Sequence, residues 1–329
     1  MITIKKYNNS YFEMWDNFIK KSNNGTIFQT QKFINYHITR KFNDYSLIIK
    51  KNDEILCLLP GVINKVNNHK IFYSHPGASY GGLILKNGLT FYLINEIIKS
   101  LDEHLIKHQF KKIFLINSPS IYWAHEDQSL DYLLQWNKYK ITETYISHAS
   151  NISKSTTIDD LLSKRKKRYI LNDSQLNDFT FKEGCSNGEI EQFYSILIES
   201  KKQFLTTPTH SLSELKKLKK LFNKKIKIFV SILNHVVVGG VVIFHTNQKT
   251  SLIFYNVVNP NVKDSQLSVL QLYNAMQICK NYGASIVDFG VSHTPETLNP
   301  LDPKFSLIKF KEQFGAKGVK RIAFEKDLK

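Results

Sequence analysis

The sequence predicts an α/β fold with mixed sheets, built from two similar units. Three observations predict it. Segments with helical spacing of apolar residues alternate with short apolar runs bounded by turn signals. The element order of the first half returns in the second. Apolar residues make up 42% of the 329, enough for about two packed domains.

The first half opens with a helix over 11–21, where Phe12, Trp15, Phe18 and Ile19 share a face. A second helix is expected over 30–40 from Phe33, Ile34 and Ile38, capped by Thr30. A hairpin follows, with strands 45–49 and 55–59 around the polar tetrad 51–54. Strand 70–73, helix 90–108 and strand 112–117 complete the half. In the second half, helices are expected over 157–171, 189–202 and 211–222. Ser211 stands three residues before Glu214, the capping-box spacing. A hairpin of 226–233 and 236–245 turns at Asn234-His235. Strand 251–258, helix 265–282, strand 284–289, helix 303–314 and strand 319–325 follow. Both halves therefore run helix, helix, hairpin, strand, helix, strand. The join is expected near Ser150, giving domains 1–150 and 151–329.

The net charge is +17, from 45 basic and 28 acidic residues. Such a balance invites nucleic acid, an anionic membrane surface or a phosphorylated substrate. Heavy use of lysine, asparagine and isoleucine is an equally good account of the bulk charge. The local exception is 164–168, which holds two of the four arginines, Arg165 and Arg168. No apolar run reaches the ~18 residues of a membrane span. The start of the chain lacks the apolar core of a signal peptide. A cytoplasmic location is expected. Cys57, Cys185 and Cys279 lie too far apart for a disulfide framework or a metal site, so no metal is expected.

Four stretches have the residues for chemistry. The loop 74–82 carries three glycines and a proline, with His75, Ser79 and Tyr80 able to hydrogen-bond. It is either a plain turn or one wall of a substrate cleft, with Gly81 and Gly82 admitting a ligand to the backbone. In the basic run, Arg165 and Arg168 share a helix face and suit bidentate phosphate contact, while the others face water. In 204–211, His210 precedes a capped helix, where it either serves the cap or meets a substrate. Near the C-terminus, an apolar strand ends at Phe289-Gly290, and a helix brings Lys309 and Lys311 beside aromatic rings. Two positions apart on a helix, the two lysines diverge, so one of them alone can enter a cleft. Phe305, Ile308 and Phe314 are expected to pack inward.

Together these pieces resemble the Fem-like branch of the GNAT acyltransferase superfamily, whose members carry two GNAT domains in tandem. The residues that carry the resemblance run from Trp15-Asp16-Asn17-Phe18 and 25–29 through the glycine loop 74–82 and the basic helix 164–169. They continue with Phe193-Tyr194, Pro208-Thr209-His210-Ser211, Asp288-Phe289-Gly290 and 310–316. The resemblance implies two tandem GNAT-like domains with a cleft between them, and acyl transfer to an amine. It implies acyl-CoA or an aminoacyl-tRNA as donor. The stretch 259–265 has no glycines, so it departs from the usual pyrophosphate loop, and the long helical arm of some bridge-forming members is missing.

On this resemblance, Lys311 is the expected oxyanion or phosphate contact, because the intermediate of acyl transfer needs a cation or N–H groups. His75, His210 and His293 are candidate bases and Tyr255 a candidate acid. Ser79, Tyr80, Gly81, Gly82, Arg165, Arg168, His293 and Asn299 are the expected substrate contacts. Three functions stay open. One is an acyltransferase acting on an amino group of a cell-surface glycan or nucleotide-sugar precursor, in bacterial envelope biogenesis. Another is an aminoacyl-tRNA-dependent peptidoglycan-bridge aminoacyltransferase. The third is a non-catalytic basic binding protein on a GNAT scaffold. The expected partner is a phosphorylated small molecule or glycan precursor, with a tRNA and peripheral contact with an anionic membrane also open.

Overall fold

A computed structural model describes residues 1–153, 156–172, 179–262, 266–294 and 299–329. The chain divides into two compact units, Met1–Thr144 with Lys320–Lys329, and Tyr145–Val319.

The first unit begins with β1 (Ile2–Lys6), α1 (Phe12–Lys21) and the single turn α2 (Gln31–Ile34). Then come β2 (Leu47–Lys51), β3 (Glu54–Leu59), β4 (Val62–Val66), β5 (His69–Ser74) and β6 (Ile84–Leu85). Helix α3 (Phe91–Lys107), β7 (Phe110–Ile116) and α4 (Ser129–Trp136) follow. Strands β1-β2-β3-β6 form an antiparallel sheet. Its apolar face packs Ile48, Leu58 and Ile84 against Trp15 and Ile19 of α1. Strand β5 pairs antiparallel with β4 and parallel with β7. The β2–β3 hairpin turns on Asn52 and Asp53, both with positive φ, the geometry that matches the twist of the strands.

The second unit takes up β8 (Lys140–Asn151) from Tyr145. It continues with α5 (Ile158–Leu161), α6 (Lys164–Asn172), β9 (Phe179–Glu183), α7 (Asn187–Lys202) and α8 (Leu212–Leu221). Strands β10 (Ile226–Leu233), β11 (Val236–His245) and β12 (Thr250–Val258) lead to α9 (Leu267–Asn281), β13 (Ile286–Val291) and α10 (Phe305–Glu312). The strand order here is β8-β13-β12-β11-β10-β9. Strands β12 and β13 are parallel, and the other pairs antiparallel. The core joins Val241, Ile243 and Ile253 of the sheet to Leu272 and Met276 of α9, and to Phe314 just past α10. The last strand, β14 (Lys317–Asp327), pairs residues 323–327 with β7 in the first unit.

Mixed α/β architecture is as the sequence predicts, and several elements differ from expectation. The helix over 30–40 stops after Ile34. There the Asn35 amide donates to the Gln31 carbonyl at 2.8 Å, a side-chain bond that competes with helix continuation. The helix over 157–171 breaks at Leu162-Ser163, where the Ser163 N–H donates to the Gln313 carbonyl instead. Residues 147–151, expected as a polar join, belong to β8. Phe305 is 75% exposed rather than packed inward. Strands β1, β4, β6, β8 and β9 and helix α4 are additional to the elements the sequence predicts. The start of the 265–282 helix and the end of the 259–265 stretch fall outside the described residues.

Candidate functional site

Lys311 is buried and Lys309 exposed, the divergence that two-residue spacing on a helix demands. The Lys311 ammonium donates to the carbonyls of Gly290 and Val291, each at 2.8 Å, and to Ser292 Oγ at 2.9 Å. Those three acceptors match the three donors of an ammonium. Gly290 has φ +73°, a conformation that suits glycine, and its N–H donates to the Asp288 carboxylate at 2.7 Å. The end of β13 is thus held from both sides, by Asp288 and by Lys311. Ser292 Oγ lies 2.9 Å from Nδ1 of buried His148 on β8. Burial and the Lys311 charge both push the His148 imidazole below its ordinary pKa.

His210 and Tyr255 meet in the same unit. The Tyr255 hydroxyl accepts from the Thr209 N–H at 2.9 Å and lies 3.3 Å from His210 Nδ1. The His210 carbonyl accepts from the Tyr194 hydroxyl. Burial raises the Tyr255 phenol above its ordinary pKa, so it stays protonated as a donor at neutral pH. Both residues are buried, with His210 packed on the Phe254 ring.

In the first unit, His75 is 2% exposed, and neither ring nitrogen has a partner among the described residues. Burial, reinforced by His37, lowers its pKa to about 4, so the ring is neutral. It lines a cavity of about 630 Å³, together with Lys6, Tyr7, Gln31, Asn35, His37, Arg40, Lys41, Phe42 and Asp44. The Tyr7 hydroxyl and the Gln31 amide nitrogen are also buried without a partner among the described residues. An unpaired buried polar group costs about 1–3 kcal/mol. Several such groups belong to residues that line this cavity. Exposed Lys6, Arg40 and Lys41 give the cavity a basic rim.

The other candidates are placed as follows. Tyr80 is buried between the Phe28 and Tyr122 rings, with Arg321 5.0 Å from its ring. A Cβ on Gly81 would come 2.5 Å from the His75 nitrogen, and one on Gly82 2.1 Å from Asn117 Oδ1. These glycines let the loop pack on its own neighbours. Ser79 is half-buried in that loop. Arg165 and Arg168 are exposed on α6, while Lys166 turns inward to Gln266 Oε1 at 2.6 Å. His293 bridges to Pro303 and packs edge-on to Tyr145. The Asn299 side chain caps its own turn, accepting from the Leu301 N–H. Sequence reasoning did not reach Ser292, His148, Gln31 or the cavity rim. Arg40, one of four arginines, was the available signal for the rim. Among the described residues, no group of three or more His, Cys, Asp or Glu could hold a metal ion. No helix among them is long and apolar enough to cross a membrane.

No family model matches the sequence, and no curated protein matches it. Solved structures do match over the full length. The crystal structure of FemX superposes with a TM-score of 0.73 at 12% identity, covering 99% of this chain and 97% of that one. The chain has the fold of the Fem-like tandem-GNAT proteins. A conserved protein of unknown function from Bacteroides thetaiotaomicron gives 0.63 at 10% identity, covering 100% of both chains. A tandem GNAT protein from the clavulanic acid biosynthesis pathway gives 0.58 at 7% identity, covering 100% of this chain and 99% of that one.

Proposed function

We propose that the protein is an acyltransferase that moves an acyl or aminoacyl group to an amino group of a phosphorylated glycan or nucleotide-sugar precursor. The fold supports acyl transfer. The observation that carries the substrate class is the cavity at His75, with its unpaired buried polar atoms and basic rim. A neutral His75, Gln31 and Tyr7 suit the hydroxyls and amides of a sugar. Arg40 and Lys41 suit a phosphate, arginine through two parallel hydrogen bonds. In the second unit, the buried Lys311 sets a positive charge at the end of β13, which favours negative charge developing nearby. The donor is acyl-CoA or an aminoacyl-tRNA.

Purified protein is incubated with amino-sugar nucleotides and either acyl-CoA or charged tRNA, and amide formation is followed by mass spectrometry. Product with one donor class is the expected result, and product with neither overturns the reading. Arg40→Ala should raise KM for the phosphorylated acceptor about tenfold, the worth of one charge-assisted contact. kcat should stay near the wild-type value. An unchanged KM removes the cavity from the acceptor site.

A further inference from the structure

Lys311, Ser292 and His148 form a buried hydrogen-bonded chain. The Lys311 ammonium can only donate, and one of its three N–H groups goes to Ser292 Oγ at 2.9 Å. The Ser292 backbone is fixed as well, its N–H donating to the Ile146 carbonyl and its carbonyl accepting from the Lys304 N–H. Among the described residues, the hydroxyl proton of Ser292 has one acceptor in range, Nδ1 of His148 at 2.9 Å. Nδ1 therefore carries no proton, and the proton of the neutral ring sits on Nε2. The fall in the His148 pKa, from burial and from Lys311, agrees with a neutral ring.

The consequence lies at the far side of that ring. His148 is 4% exposed, yet Nε2 makes no hydrogen bond among the described residues. Nor is it among the side-chain atoms wholly shut off from solvent. A nearly buried N–H held in one orientation, with its own partner missing, is a donor waiting for an acceptor. Lys311 cannot play that part directly, because its three donors already serve Gly290, Val291 and Ser292.

We propose that His148 is the residue that meets the reacting acyl group, its Nε2–H donating to the carbonyl oxygen as that oxygen becomes an oxyanion. Ser292 and Lys311 are positioning residues that fix the tautomer and polarise the ring from behind. The inference rests on the acyl-transfer reading and deepens it. In the step, the acceptor amine nitrogen bonds to the carbonyl carbon, and the C=O π pair moves onto the oxygen held by Nε2–H. Collapse restores C=O and breaks the bond to the ester oxygen or thioester sulfur. That leaving atom finishes with the proton lost by the amine, and His148 ends as it began.

Two measurements on the full chain test this separately. The first is independent of activity: long-range ¹H–¹⁵N spectra of the labelled protein, with the His148 signal assigned by its loss in His148→Gln. The expected result is a neutral Nε2–H tautomer at neutral pH, whose preference weakens in Ser292→Ala. A cationic ring or an Nδ1–H tautomer overturns the chain. The second uses whichever donor the wild-type protein accepts. His148→Phe should lower kcat about 10²-fold with KM nearly unchanged, the usual loss of one oxyanion donor. His148→Gln, which keeps a side-chain N–H, should recover part of it, and unfolding midpoints show that both variants fold. Wild-type turnover left intact in His148→Phe overturns the role of His148 alone. A wild-type protein inert with every donor overturns acyl transfer and this role with it, while the tautomer result still stands.

Discussion

At the scale of single residues, Lys311 explains more about the fold than an isolated active-site lysine would. Its ammonium closes three hydrogen bonds at the end of β13, two of them to the Gly290 and Val291 carbonyls where the pairing with β8 shifts register. Lys311→Met keeps most of the stem and removes the charge, leaving those carbonyls to find other donors. The expected loss is about 3 kcal/mol of stability, the scale of hydrogen bonds to a charged group left unmade. Lys311→Arg should recover little, because a planar fork cannot reproduce three divergent donors. Urea unfolding of the purified variants measures both. A Lys311→Met variant as stable as wild type would mean that the three bonds do not hold the strand end. Activity lost in Lys311→Met therefore reports lost architecture as well as lost charge, which is why the tautomer of His148 is the cleaner probe.

Among the elements, those stated locally in the sequence are the ones that were legible. Ser211 caps α8, accepting from the Glu214 N–H at 3.2 Å, while the Glu214 carboxylate takes the Ser211 N–H at 2.9 Å. Ser211→Ala should cost about 1 kcal/mol, read as a lower urea midpoint. An unchanged midpoint would mean that helix packing alone fixes the start of α8. The hairpin of β10 and β11 was legible for the same reason, since Asn234 and His235 adopt the positive φ such turns need. Helix α2 was not, because its end depends on the Asn35 amide reaching back to Gln31, which periodicity does not register. Strand β8 was hidden by polar residues. Ser147, His148 and Ser150 are buried, and their acceptors and donors come from distant segments such as Ser292 and Phe314. The candidate site divides along the same line. Lys311 was visible through its Phe-Lys motif, and His210 through its place before a capped helix. His148 and Ser292, 144 residues apart, become a pair only once β8 and β13 are aligned.

Over the whole molecule, buried neutral histidines tie stability to pH. His75 in the first unit and His245 in the second are each 2% exposed, and burial lowers both to about 4. His245 lies flat on Tyr282, with Nδ1 2.7 Å from Ser251 Oγ, so its environment is packed on both sides. An unfolded histidine titrates near 6.5. Above that value both states are neutral and the histidines leave stability unchanged. As pH falls from 6.5 towards 4, the unfolded chain takes up protons that the folded chain refuses, so stability is lost across that window. At pH 5 the loss is about 2 kcal/mol for each such histidine. The carboxyls of buried Asp102 and of half-buried Asp16, Asp44 and Asp131 are shifted upwards by desolvation and act in the opposite sense. They bind protons more readily when folded, which offsets part of the histidine effect as pH falls. Urea unfolding at pH 7 and pH 5 should therefore show both units weakening. His245→Phe, which keeps a ring on Tyr282 but binds no proton, should reduce the second unit's share of the pH dependence, to which His148 also contributes, while leaving that of the first. A profile flat from pH 7 to 5 would mean that these rings gain protons as easily folded as unfolded, and that neither is held in a dry site.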